Sequence, residues 1–128
     1  MFQIKSTETD GLPEFFDFEG DSFKVSVRSK SHSALREVYG YPDAEGIAQI
    51  FREAANQWRG WSGTKMWESL EGEFKIELKA DKTGHVTIYI NINHDGGNTE
   101  PWRLKSCLLI EAGQLEAIAK RATEFFKA

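Results

Sequence analysis

Phe74-Lys75-Ile76-Glu77-Leu78-Lys79-Ala80-Asp81-Lys82-Thr83-Gly84-His85-Val86-Thr87-Ile88-Tyr89-Ile90-Asn91-Ile92 decides the fold. On each side of Asp81–Gly84, large apolar residues alternate with polar or charged ones, the period of a half-buried strand. Asp first and Gly fourth suit a type I turn running into a bulge. With Asp81 set opposite His85, the pairs Leu78–Ile88, Ile76–Ile90 and Phe74–Ile92 share one face. Lys79–Thr87 and Glu77–Tyr89 share the other. A slip of one residue would turn every apolar side chain of one strand to the wrong face, so this register is strongly specified. The spacing predicts an antiparallel hairpin over residues 73–93.

On the C-terminal side, His94-Asp95-Gly96-Gly97-Asn98-Thr99-Glu100-Pro101 reads as a second turn and Trp102 to Ile110 as a further strand. Leu108-Leu109-Ile110 is apolar on both faces, as expected where another layer covers the sheet. A last helix, about 112–127, supplies that cover with Leu115, Ile118, Ala119, Ala122, Phe125 and Phe126 on one stripe. On the N-terminal side, three of the four tryptophans fall in the ten residues Trp58–Trp67, in a Gly/Ser/Thr-rich stretch expected to be a loop. Before it, Ile47, Ile50, Phe51, Ala54, Ala55 and Trp58 repeat at helical spacing. A helix of about 43–59 is expected, with Pro42-Asp43-Ala44-Glu45 opening it and Gly60 closing it in a left-handed cap. Glu14–Phe18 and Phe23–Arg28 read as strands joined by a two-residue turn at Gly20-Asp21, and Ala34–Tyr39 as another.

The fold class is therefore α+β: one antiparallel twisted sheet of about six or seven strands with two helices, in a single domain spanning 1–128. A chain of 128 residues with 40% hydrophobic and 12% aromatic content can bury a sizeable core. No apolar run reaches the ~20 residues of a membrane helix, and Met1–Glu8 lacks the basic-then-apolar layout of a signal peptide. One cysteine permits no internal disulfide, so a reducing compartment, the cytoplasm, is expected. A net charge of −4 argues against nucleic acid as a partner.

Candidate chemistry is sparse. His85 and His94 stand at opposite ends of one strand, about 30 Å apart at ~3.3 Å per residue, and on opposite faces. His32 has no ligand-spaced neighbour, so neither a metal nor a cofactor is expected. Glu71 and Glu73 could serve as paired carboxylates, but their face continues as Lys75, Glu77 and Lys79, the solvated side of a strand. Nothing apolar there would separate their roles. Cys107, beside Leu108 and Leu109, reads as packed. No catalytic residue is assigned, and a non-enzyme is expected.

Two features point outward. Between Lys5 and Lys24 run six acids with no base, among them Asp17, Glu19 and Asp21 at a hairpin turn. Trp61 and Trp67 lie in the Gly/Ser/Thr stretch, where burial is least assured. Together they are the expected binding residues for a basic partner or a ligand. Trp58 and Trp102 are read as structural.

Trp58-Arg59-Gly60-Trp61, Trp67-Glu68-Ser69-Leu70-Glu71-Gly72-Glu73, Gly84-His85-Val86, Trp102 and Glu111-Ala112-Gly113-Gln114-Leu115 resemble the pattern of a family of short bacterial proteins of unknown function. The resemblance supplies no activity. More loosely, the order of elements is similar to that of immunity proteins of bacterial toxin systems, an analogy of architecture. The expected function is a non-catalytic protein-binding module, an immunity-type inhibitor of a bacterial toxin. The alternative is a small-molecule binder or enzyme with a pocket beside Trp58–Trp67. Oligomeric state is not legible in the sequence.

Overall fold

A computed structural model describes residues 1–127. Eight strands form two four-stranded antiparallel sheets, each in sequence order. The first contains β1 (Phe2–Gln3), β2 (Leu12–Glu19), β3 (Ser22–Arg28) and β4 (Ser33–Tyr39). The helix α1 (Gly46–Asn56) then leads to the second sheet: β5 (Lys65–Glu68), β6 (Phe74–Ala80), β7 (His85–His94) and β8 (Trp102–Glu111). A 3-10 turn at Ala112–Gln114 opens α2 (Leu115–Phe126).

The α+β class holds, but the single sheet of six or seven strands does not. Two strands escaped the sequence pattern because each is too short to show a period: β1 has two residues and β5 four. The sheet divides where α1 intervenes, since β4 and β5 are edge strands that do not pair. Each sheet has one apolar face, and two such faces are best buried against each other. Phe15 and Phe23 of the first sheet meet Phe74 of the second edge-on, at 5.8 and 6.1 Å between centroids. The apolar stripes of both helices join this core, through Ile47, Phe51 and Ala54 on α1 and Ile118, Ala122 and Phe126 on α2.

The β6–β7 hairpin has the expected register: Phe74 faces Ile92, Ile76 faces Ile90, Leu78 faces Ile88, and Lys79 and Glu77 face Thr87 and Tyr89. At its tip, Asp81 N–H donates to the His85 carbonyl at 3.0 Å. The Asp81 carboxylate accepts from the backbone N–H groups of His85 and Thr83 and from the Thr83 hydroxyl. These bonds favour the charged form, the His85 amide most, and hold the carboxyl below its usual range. The stability this carboxylate contributes is therefore present at neutral pH and is lost as pH falls through the lowered folded-state value. Asp81→Asn should lower the thermal midpoint at pH 7 and shrink the difference between variant and wild type in strong acid. A carboxyl titration by NMR that gives Asp81 an ordinary midpoint would refute this.

β2 and β3 join through the two-residue turn Gly20-Asp21, as expected. The pairing shifts by one residue between Phe16–Lys24 and Glu19–Ser22, so β2 carries a bulge. Asp17 sits there with φ 52°, a left-handed conformation that a short polar side chain tolerates better than most. In a regular strand Phe15 and Phe18, three apart, would face opposite ways. The bulge lets both reach Phe126, at 6.5 and 5.3 Å.

Both helices are shorter than the expected 43–59 and 112–127. Residues 42–45 form turns, closed by i→i+3 bonds from Gly46 N–H to Asp43 and from Ile47 N–H to Ala44. The C-terminal end of α1 is Gln57, whose N–H donates to Glu53 and Ala54. Gly60, φ 121°, lies beyond it rather than serving as the left-handed cap. Trp58 is consequently off the helical stripe and 56% exposed, contrary to its structural reading, with the Arg59 guanidinium 5.1 Å from its ring centroid.

Candidate interaction surface

The tryptophan-rich stretch is not the open loop expected. Thr64 ends the irregular part, and β5 pairs with β6 so that Trp67 lies opposite Ile76. This turns the Trp67 ring toward Phe23 and Phe74, 6.2 Å from each. Its indole N–H donates to the Asp43 carbonyl at 2.7 Å. Gly46 closes the same contact: a Cβ there would lie 2.7 Å from Trp67 Cδ1. Trp67 thus ties β5 to the entry of α1. Trp61 is half-buried, with Lys65 Nζ 5.1 Å from its ring centroid and a buried indole N–H that has no partner among the described residues. Trp102 is half-buried and stacks on His94 at 5.9 Å.

The acids that looked uncompensated along the chain meet bases across the sheet. Lys24 pairs with Asp17 at 3.3 Å, and Arg28 pairs with Glu14. Glu19 and Asp21 form no ion pair among the described residues. Hairpin pairing is the signal that was available: Phe16 faces Lys24, and Glu14 faces Ser26 two residues from Arg28.

What the sequence did not single out is the outer side of β4. Leu35, Glu37 and Tyr39 point there together, because they are two apart on a strand. Leu35 is 58% exposed and Tyr39 41%. Tyr41, 51% exposed, stacks on Tyr39 at 5.9 Å. Tyr39 faces Ser22, and Gly40 N–H donates to the Asp21 carbonyl at 2.7 Å, so the two tyrosines stand beside the acidic hairpin tip. Glycine is required at 40, since a Cβ would meet Ala44 Cβ at 2.6 Å and the Asp21 carbonyl oxygen at 2.9 Å. Nearby, a groove of about 650 Å³ is lined by Asp17, Phe18, Glu19, Ser22, Lys24 and Glu37. Of its four charged side chains, Asp17, Glu19 and Glu37 are acids and Lys24 is the one base, so the groove is acidic.

Glu73 departs from its expected place on the solvated face with Lys75. β6 begins only at Phe74, so strand alternation does not extend to Glu73, which is 6% exposed. Its Oε2 accepts from Tyr39 N–H at 3.4 Å, while Oε1 is buried without a partner among the described residues. Glu71 remains exposed. The two do not form a matched pair of carboxylates in one environment. Cys107, expected to be packed, is exposed on the outer face of the second sheet, opposite Tyr89. Its odd separation from the buried Leu108 and Ile110 turns it outward on one side of the strand.

His85 and His94 occupy the two ends of β7. Among the described residues no group of three or more His, Cys, Asp or Glu side chains could hold a metal ion, and no helix is long and apolar enough to cross a membrane. No curated protein and no solved structure matches the chain. The chain belongs to DUF6228, a family of unknown function, which matches it over residues 7–128.

Proposed function

We propose that this chain is a non-catalytic protein-binding module of the cytoplasm, an immunity-type inhibitor that covers a basic surface of a bacterial toxin. One observation carries the reading: the stacked, exposed Tyr39 and Tyr41 adjoin the unpaired acids Glu19 and Asp21. Tyrosine supplies large contact area with few rotamers to immobilise, and acids nearby select a cationic partner. Asp17, Glu19 and Asp21 keep their expected role of steering. The aromatic anchors are Tyr39 and Tyr41; Trp67 supports them from within by holding the Asp43 turn that carries Tyr41, and the half-buried Trp61 is a further candidate contact.

The test starts from a partner captured from the native organism. Charge reversal at Asp17, Glu19 and Asp21 should slow association and flatten its salt dependence, because exposed charges act chiefly on encounter. Tyr39→Ala with Tyr41→Ala should instead speed dissociation, at a cost of ~2 kcal/mol or more. A partner that binds both variants as tightly as wild type would remove the proposal.

A further inference from the structure

The outer face of the first sheet holds a second, larger groove of about 750 Å³, which adjoins the acidic one at Asp17. Its apolar lining is Phe16, Leu35 and Met1, and Glu14, Asp17 and Arg28 surround it. Glu14 is 8% exposed although it lies on the solvent side of the sheet, and its one ion-pair partner among the described residues, Arg28, has a side chain 61% exposed. Leu35 has no such cover. An exposed apolar lining beside a nearly buried carboxylate is unusual for a face that meets only water. Counting Glu19 and Glu37 from the adjoining groove, acids on this face outnumber Lys24 and Arg28.

We infer that this groove takes a large apolar side chain flanked by a basic one, presented by the partner protein. The inference rests on the protein-binding reading and names the chemistry of the contact. The apolar side chain covers Leu35 and Phe16, as a pocket-filling anchor does at the centre of an interface. The flanking cation is drawn by Glu14 and Asp17, whose own partners Arg28 and Lys24 have exposed side chains that a bound cation can displace into solvent.

The test uses defined peptides and the full chain, followed by amide NMR. Three capped hexapeptides serve as probes: one alternating arginine and leucine, one glutamate and leucine, one arginine and serine. The arginine–leucine peptide should shift the amides of Phe16, Ser26 and Leu35 saturably, and the other two should bind at least about tenfold more weakly. Leu35→Asp should weaken the arginine–leucine peptide by about tenfold or more, with an unchanged circular-dichroism spectrum, while Cys107→Ser, on the outer face of the second sheet, leaves it within about twofold. Equal binding of the glutamate–leucine peptide would overturn the charge selection, and equal binding of the arginine–serine peptide would overturn the apolar anchor. No saturable shift with any peptide would overturn the groove outright. So would a dimer, seen by light scattering, that Leu35→Asp disperses, because the occupant would then be a second copy. The peptide assay needs no natural partner. A groove that binds while no basic protein partner exists leaves the groove and removes the immunity reading; the reverse removes the groove alone.

Discussion

Phe74→Ala is expected to lower stability by about 3–5 kcal/mol, the usual range for truncating a fully buried aromatic ring. The side chain is wholly buried and touches Phe15, Phe23 and Trp67, rings from β2, β3 and β5. It is therefore a central contact between the two sheets. Removing it empties the centre of the core, and rings fixed on three separate strands cannot easily close the gap. A domain of this size is stable by only about 5–15 kcal/mol, so much of the margin would be lost. Urea unfolding followed by tryptophan fluorescence should show a large fall in midpoint with little change in slope. A loss under about 1 kcal/mol would mean that the sheets are not joined through Phe74.

Trp67→Ala should cost about 3 kcal/mol, from lost ring contacts and from leaving the Asp43 carbonyl without its indole donor. Gly46→Ala is the sharper test. In an exposed helix the change from glycine to alanine is favourable by about 1 kcal/mol. Here the added methyl would lie 2.7 Å from Trp67 Cδ1, 2.9 Å from its Nε1 and 2.8 Å from Asp43 Oδ2. Overpacking of this kind costs about 1–3 kcal/mol, so Gly46→Ala should destabilise the wild type. In the Trp67→Ala background the indole is gone and only the Asp43 carboxylate, the end of a rotatable side chain, still crowds the methyl, so the same substitution should cost much less. Additive effects in this cycle, measured by chemical denaturation, would show that Gly46 and Trp67 do not share the contact.

The β6–β7 hairpin was legible to the residue because its alternation is long and its turn chemistry explicit, so that a wrong register would bury lysine and glutamate. The interior stripes of both helices were legible for the same reason, through a period of 3.6. Their ends were not. Whether residues 42–45 begin a helix depends on the Asp43 carbonyl, which Trp67, 24 residues away, also claims. β5 reads as a loop because four residues, two of them Lys65 and Glu68, show no pattern; its strand geometry comes from pairing with β6. The acidic run shows the same limit in electrostatics. Asp17 and Glu14 have no base nearby along the chain, yet Lys24 and Arg28 reach them across one hairpin.

By itself the sequence determined local periods: which residues form the longer strands and the helix interiors, which face of each is apolar, and the register of the β6–β7 hairpin. Those properties depend on neighbours within a few residues, where backbone geometry dictates which side chains share a face. Only the tertiary structure decided that the strands divide into two sheets, that Trp67 packs inward and Trp58 does not, and that Tyr39 and Tyr41 stand beside the Gly20-Asp21 turn. Each of these depends on which apolar face covers which other, and burial is non-directional, so a face that needs cover does not specify the element that provides it.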